Sequence, residues 1–217
     1  MIKAVLWDFG GVLTSSPFEA FNRFETEKGL PQNFIRSINA TNPDTNAWAQ
    51  FESNKMSVDA FDAAFASESR DKGHEIPGKD VLALLSGDIR PKMVAALRKI
   101  KQSYAVGCIT NNVKSGKGAG MARSSVKAKA VSNVMALFDV VIESSVIGLR
   151  KPDPKIYQLT CEEMGVDPCD ALFIDDLGIN LKPAKAMGMQ TIKVLNESQA
   201  LDDLSSALNL DFSDIEH

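Results

Sequence analysis

The sequence predicts an α/β protein: one parallel sheet with a helical segment inserted early in the chain. Apolar runs of strand length recur, each stopping at polar or glycine residues. Helix-period stretches stand between them, an alternation that gives a parallel sheet with helices on both faces. From Phe18 to about Ser86 the strand pattern disappears and only helical spacing remains.

Ile2 to Leu13 opens with an apolar run that stops at Asp8 and is followed by Gly10 and Gly11, which reads as a buried strand ending in a sharp turn. Thr14 to Pro17 form a break. Phe18, Phe21 and Phe24 recur along one face of a helix that Gly29 and Pro31 end. A helix around Asn33 to Ala40, a turn at Asn42-Pro43-Asp44 and a short helix at Trp48 and Phe51 follow. Ser57 suits the N-cap of a helix carrying Val58, Phe61 and Phe65, with Asp59 in its first turn. Gly73 to Gly78 reads as a loop, and Val81, Leu82 and Leu85 as a last short helix. The phenylalanines read as the core of this segment.

The alternation resumes at Arg90, with Pro91 in the first turn of a helix bearing Val94, Leu97 and Ile100. Tyr104 to Ile109 is a strand ending at Thr110-Asn111-Asn112. Val113 to Ala136 begins glycine-rich and turns helix-compatible, with Lys114, Lys117, Arg123, Lys127 and Lys129 and no acid. It reads as a solvated helix behind a glycine loop, with a basic rim for an anion as the alternative. Phe138 to Glu143 holds the next strand, and a loop then carries Lys151-Pro152. Asp153 can cap a helix that starts at Pro154 and ends at Gly165. Ala171 to Ile174 is a strand ending at Asp175-Asp176, a helix runs through Ala184 to Met187, and Gln190 to Val194 is the fifth strand. Leu201, Leu204 and Leu208 mark a closing helix. The expected division is a core of residues 1–14 and 90–217 and an insertion of residues 15–89.

Composition narrows the function classes. The chain has 217 residues, 44% of them hydrophobic, enough for a real core. A formal net charge of -4 gives no reason to expect nucleic acid or a membrane surface as partner. Cys108, Cys161 and Cys169 have neither metal spacing nor a disulfide framework. No apolar run has membrane-span length, and the N-terminus enters a strand without a signal-peptide pattern, so a cytoplasmic protein is expected.

In a parallel sheet the carboxyl ends of the strands lie along one edge, where ligands bind. That edge would gather Asp8, Thr110-Asn111, Lys151 and Asp175-Asp176 in one crevice. Three carboxylates packed together repel and need a cation or protons. An all-oxygen set suits Mg²⁺, and a lysine with a hydroxyl suits anionic oxygens. A carboxylate nucleophile, a divalent cation and a lysine make a phosphoryl-transfer site.

Trp7-Asp8-Phe9-Gly10-Gly11-Val12-Leu13, Ile109-Thr110-Asn111-Asn112, Gly148-Leu149-Arg150-Lys151-Pro152-Asp153-Pro154 and Phe173-Ile174-Asp175-Asp176-Leu177-Gly178-Ile179-Asn180 resemble, in order, the four motifs of the haloacid dehalogenase superfamily. The likeness is to its phosphatase-like group, which includes the N-terminal domain of soluble epoxide hydrolase. The resemblance implies a Rossmann-like core with strand order 5-4-1-2-3 and a helical cap inserted after the first motif. It implies Asp8 as nucleophile, Thr110 and Asn111 on the phosphoryl group, and Lys151 between nucleophile and phosphoryl oxygens. Asp8, Asp176 and the carbonyl of Gly10 would hold Mg²⁺, with Asp175 supporting or sharing that role. The implied substrate is a small phosphorylated metabolite. The family's phosphatases usually carry a second aspartate two residues after the nucleophile, to move a proton; here that position is Gly10. Two other readings stay open: a metal-independent 2-haloacid dehalogenase, or a phosphate-binding protein that has lost turnover.

Overall fold

The computed structural model describes residues 1–113, 121 and 124–215. At its centre are β1 (Ala4–Trp7), β2 (Ala105–Thr110), β3 (Val140–Glu143), β4 (Ala171–Asp175) and β5 (Gln190–Lys193). All are parallel, in the order β3-β2-β1-β4-β5, which is the expected topology with β1 central.

Because side chains alternate along a strand, each strand feeds two cores. Val5 and Trp7 join Val106, Cys108, Leu172 and Ile174 on one face. There they pack against α6 (Pro91–Ile100), α7 (Ser125–Met135) and α11 (Glu197–Leu208). Leu6 joins Ile109 and Phe173 on the other face, against α9 (Pro154–Met164) and α10 (Gly178–Ala186). The strands are buried on both faces, which is why they read as continuous apolar runs rather than alternating ones.

Five helices lie between β1 and α6: α1 (Pro17–Glu27), α2 (Phe34–Asn39), α3 (Ala47–Glu52), α4 (Val58–Asp71) and α5 (Gly78–Ala83). They share a third apolar cluster around Phe21, Phe34, Phe51, Phe61 and Phe65. The side chains of Ser16, Asn46 and Ser57 accept backbone N–H groups at the starts of α1, α3 and α4, and Asp153 does so for α9. The chain leaves and re-enters this helical region side by side. Thr14 and Ile89 form an antiparallel bridge, Ser15 N donates to Asp88 O at 2.7 Å, and Arg90 N donates to Leu13 O at 2.9 Å.

Two local expectations change. The stretch expected as loop after β3 begins with a short helix, α8 (Ser144–Ile147), closed by Gly148 in the left-handed region at φ 74°. Thr110 belongs to β2 rather than following it, so its backbone is held by the sheet, level with Glu143 of β3. Of the basic stretch, Lys114, Lys117 and Arg123 lie outside the described residues, while Lys127 pairs with Asp88 at 2.6 Å.

Candidate active site

β1 ends at Trp7, level with Ile174 of β4, so one step further puts Asp8 beside Asp175. Asp8 N donates to Ile174 O at 2.9 Å and continues that ladder. Thr110 closes β2 on the other side of β1. Lys151 arrives from beyond α8 and is fully buried. Its ammonium lies 2.8 Å from Asp8 Oδ1 and 2.7 Å from Asp175 Oδ2. Ligand oxygens of Asp8, Asp175 and Asp176 all lie within 4.8 Å of one another. The expected convergence of the four motifs is thus present in one place.

The partners divide these groups by what each has left to offer. Asp175 is saturated: Oδ1 accepts from Leu177 N at 2.8 Å, Oδ2 from Lys151, and Asn180 Nδ2 sits 3.0 Å from both oxygens. Asn180 is itself held, since Tyr157 Oη donates to its carbonyl at 2.7 Å. Asp8 Oδ1 accepts from Phe9 N at 2.7 Å and from Lys151, while no hydrogen bond reaches Oδ2 among the described residues. Asn111 brackets the Lys151 backbone, its Oδ1 accepting from Lys151 N at 2.8 Å and its Nδ2 donating to Lys151 O at 2.9 Å. One amide N–H of Asn111 then remains for a ligand.

Burial and charge act together on these groups. Burial raises the Asp8 carboxyl well above the ordinary carboxylate value; Lys151 pulls it back, and Asp175 and Asp176 push it further up. Burial alone would lower the Lys151 ammonium, but Asp175 and Asp8 outweigh it and hold the proton more tightly than usual. Asp176 is pushed up to about 6 by burial, with Asp175 adding to the effect. One ammonium stands against three carboxylates, so the cluster carries an excess of negative charge. Its oxygen-only donor set is the kind a hard divalent cation takes.

The glycine pair has two different jobs. Gly11 has φ +80°, and a Cβ there would come 2.3 Å from Asp176 Oδ2, so only glycine lets Asp176 approach the loop. Arg90 Nη1 donates to the Gly11 carbonyl at 2.8 Å and steadies that loop. At Gly10 a Cβ would meet nothing within 4 Å, and the residue lines the cavity.

That cavity has a volume of about 490 Å³ and lies between the sheet edge and the helical segment. Asp8, Gly10, Thr110, Asn111, Lys151 and Asp176 line its floor, while Phe18, Phe21 and Trp48 come from the helices and Leu85 from the chain just after α5. Arg150, next to Lys151, reaches the helices: Nε donates to Glu52 Oε2 at 2.8 Å and Nη1 to Pro43 O at 2.9 Å. Burial raises the Glu52 carboxyl while Arg150 pulls the other way. Sequence reasoning gave no role to Asn180, Tyr157, Arg90 or the Arg150–Glu52 pair. Asn180 had a signal, a polar residue in the first turn of the helix that follows an aspartate pair.

The description of a haloacid dehalogenase-like hydrolase matches residues 2–188. The chain belongs to the haloacid dehalogenase-like hydrolases. Among curated proteins, it is 33% identical to Phosphatase MT3486 of Mycobacterium tuberculosis, over 94% of this chain and 94% of that protein. It is 29% identical to Bifunctional epoxide hydrolase 2 of Mus musculus, over 97% of this chain and 40% of that protein. The chain spans less than half the length of the first curated relatives it matches. A family enzyme of Bacteroides thetaiotaomicron, solved with magnesium and inorganic phosphate, superposes with a TM-score of 0.57 at 22% identity, over 89% of this chain and 94% of that one. At that identity the likeness is one of fold. Among the described residues no helix is long and apolar enough to cross a membrane.

Proposed function

We propose that this hydrolase is a Mg²⁺-dependent phosphohydrolase that works through an aspartyl-phosphate on Asp8. The observation that carries the proposal is the Lys151 ammonium lodged between Asp8 and Asp175, with Asp176 in the same carboxylate group. Such a cluster has the charge and the oxygen donors for a divalent cation and an anionic substrate together. Asp8, Asp176 and the carbonyl of Gly10 would hold the cation, with Asp175 in support because its oxygens are already engaged. Bound there, Mg²⁺ would supply charge neutralisation for the phosphoryl oxygens.

In this proposal the chain's own groups do the rest. Lys151 fixes the Asp8 carboxylate through Oδ1, and that carboxylate attacks phosphorus. Thr110 and the remaining Asn111 N–H would bind phosphoryl oxygens as the P–O bond to the leaving group breaks. Water then attacks the aspartyl-phosphate, releasing inorganic phosphate and restoring Asp8. The leaving oxygen needs a proton, and Gly10 has no side chain to give one. Without that help, worth about 10²–10⁴-fold, alkyl esters are slow and aryl or acyl phosphates are favoured. We assign residues 15–89 the role of a cap that excludes water and selects a small phosphorylated substrate. The phosphatase named among the relatives supports the reaction class, and its coverage supports applying that class to the whole chain.

The test is hydrolysis of an aryl phosphate with Mg²⁺, with chelator, and with Asp8→Asn. Metal-dependent turnover that Asp8→Asn reduces on the order of 10⁴-fold or more is expected. Turnover that survives the substitution, or that is indifferent to chelation, would overturn the proposal. Chloride release from a 2-chloro acid without metal would favour the dehalogenase instead.

A further inference from the structure

Resting on that phosphohydrolase reading, we propose that the substrate is a phosphate monoester with an uncharged, largely apolar leaving group, seated among the side chains above Asp8. The cavity volume of about 490 Å³ falls in the range of about 300–1,000 Å³ that encloses a drug-sized ligand, far more than a phosphoryl group fills. The chemistry of the walls changes with height. At the floor stand Asp8, Thr110, Lys151 and Asp176. Above them the walls include Phe18, Phe21, Trp48, Leu85 and Val113.

Charge in the upper part is already answered, or lies in solvent. Among the described residues the charged groups lining it are Arg36, Asp44, Glu52 and Arg150. Glu52 and Arg150 neutralise each other at 2.8 Å, and Arg150 also donates to the Pro43 carbonyl. Arg36 lies over the Phe18 ring at 4.3 Å and, like Asp44, is exposed. Among the described residues no buried cation is left over in this upper part for a second phosphate or a carboxylate. Among the polar side chains of these walls, Asn39 Oδ1 is buried without a hydrogen-bond partner among the described residues, a single acceptor that cannot answer several sugar hydroxyls, so a polyhydroxyl leaving group would lose more water contacts than it regains.

Ile179 is the second, independent observation. It lines the cavity from the first turn of α10, directly after the Asp175-Asp176 pair, yet is 56% exposed. A large aliphatic side chain held in water at the rim of an aromatic-lined cavity is a surface that an apolar ligand would cover.

The test separates this proposal from the one beneath it. The Mg²⁺-loaded protein is titrated calorimetrically with methyl-, butyl- and octylphosphonate, which cannot be hydrolysed. Affinity should rise with chain length, by about fourfold for each fully buried methylene, so that burial of about three or four of the added methylenes gives on the order of 100-fold between methyl and octyl. Ile179→Ser and Trp48→Ala should each weaken octylphosphonate at least about fivefold more than methylphosphonate. Octyl phosphate should exceed glucose 6-phosphate in kcat/KM. A flat length series, or equal losses on both phosphonates in both variants, would overturn the apolar subsite while leaving Asp8-dependent aryl phosphate turnover intact. Length-dependent binding with no turnover of any ester would support the subsite and strike the phosphohydrolase reading instead.

Discussion

At the sheet edge Asp8 and Asp175 are buried, each within hydrogen-bond reach of the buried Lys151, and each contact is directional. In the helical segment Phe21, Phe34, Phe51, Phe61 and Phe65 are buried with equal thoroughness, and their contacts are ring against ring. The two regions meet at one cavity but depend on different physics. At the edge a lost partner leaves an uncompensated charge in a dry place. Among the helices a lost ring leaves a void, whose cost depends on how far the neighbours collapse. The comparison teaches that both regions carry stability by different means, and in the proposed function the edge would set whether reaction occurs and the helices the choice of leaving group.

Lys151→Met presses hardest on the difference. Removing the ammonium leaves Asp8 and Asp175 without their shared partner, which should cost about 3–5 kcal/mol of stability and on the order of 10³-fold in turnover. Denaturant melts and an aryl phosphate assay on the folded fraction read both. Phe61→Ala is the matched change among the helices. Its ring stacks on Phe51 at 4.6 Å and is fully buried, so a loss of about 3–5 kcal/mol is expected by the same melts. Turnover of a small aryl phosphate by the folded fraction should fall by less than about tenfold. A loss equal to that of Lys151→Met would erase the distinction between the regions.

Gly10→Asp sharpens the comparison from the opposite side by adding a function to the edge. A Cβ there meets nothing within 4 Å, so the new carboxyl can be accommodated. Hydrolysis of an alkyl phosphate should rise by roughly 10–100-fold relative to an aryl phosphate. An equal or smaller gain on the alkyl ester would show that proton supply does not limit the wild-type site.

The smallest expected effect is a linkage between pH and Mg²⁺. Burial, with Asp175, pushes Asp176 from 3.8 up to about 6 in the metal-free protein. A raised carboxyl stabilises the fold in its protonated form, so that contribution fades as pH rises through about 6. Cation binding needs the deprotonated form and recovers the loss. Mg²⁺ should therefore raise Tm by about 2–4 °C near pH 7.5 and by much less near pH 5. A larger shift at the lower pH would mean that the cation binds elsewhere.

The edge was the more legible region because its chemistry dictates residue types at strand ends. Asp8, Thr110, Lys151 and Asp175-Asp176 could be read as convergent before any coordinate was seen, as could the strand order that the family resemblance implied. What stayed hidden depends on contacts distant in sequence. Asn111 was expected beside the substrate, and its second attachment, to the Lys151 backbone forty residues away, gave no local signal. Helix α8 was missed because Ser144-Ser145-Val146-Ile147 has weak helical propensity and is too short to show a period. Buried acids among the helices give no local signal either. Glu25 is buried because it accepts the backbone N–H groups of Asn33 and Ile35 and so caps α2 from another helix. Glu52 is buried against Arg150, which reaches it from a part of the chain about a hundred residues away.

The bridge between Thr14 and Ile89 has a consequence for how such a molecule can diversify. The helical segment that the proposal places over the leaving group enters and leaves through one seam, and the sheet does not run through it. A different roof spliced in at that seam would inherit intact chemistry below. Arg90 makes the seam more than a splice point, because the same residue that ends the excursion also grips the Gly11 carbonyl beside Asp176. Any graft that kept the sheet but displaced Arg90 would unsettle the loop on which the chemistry stands.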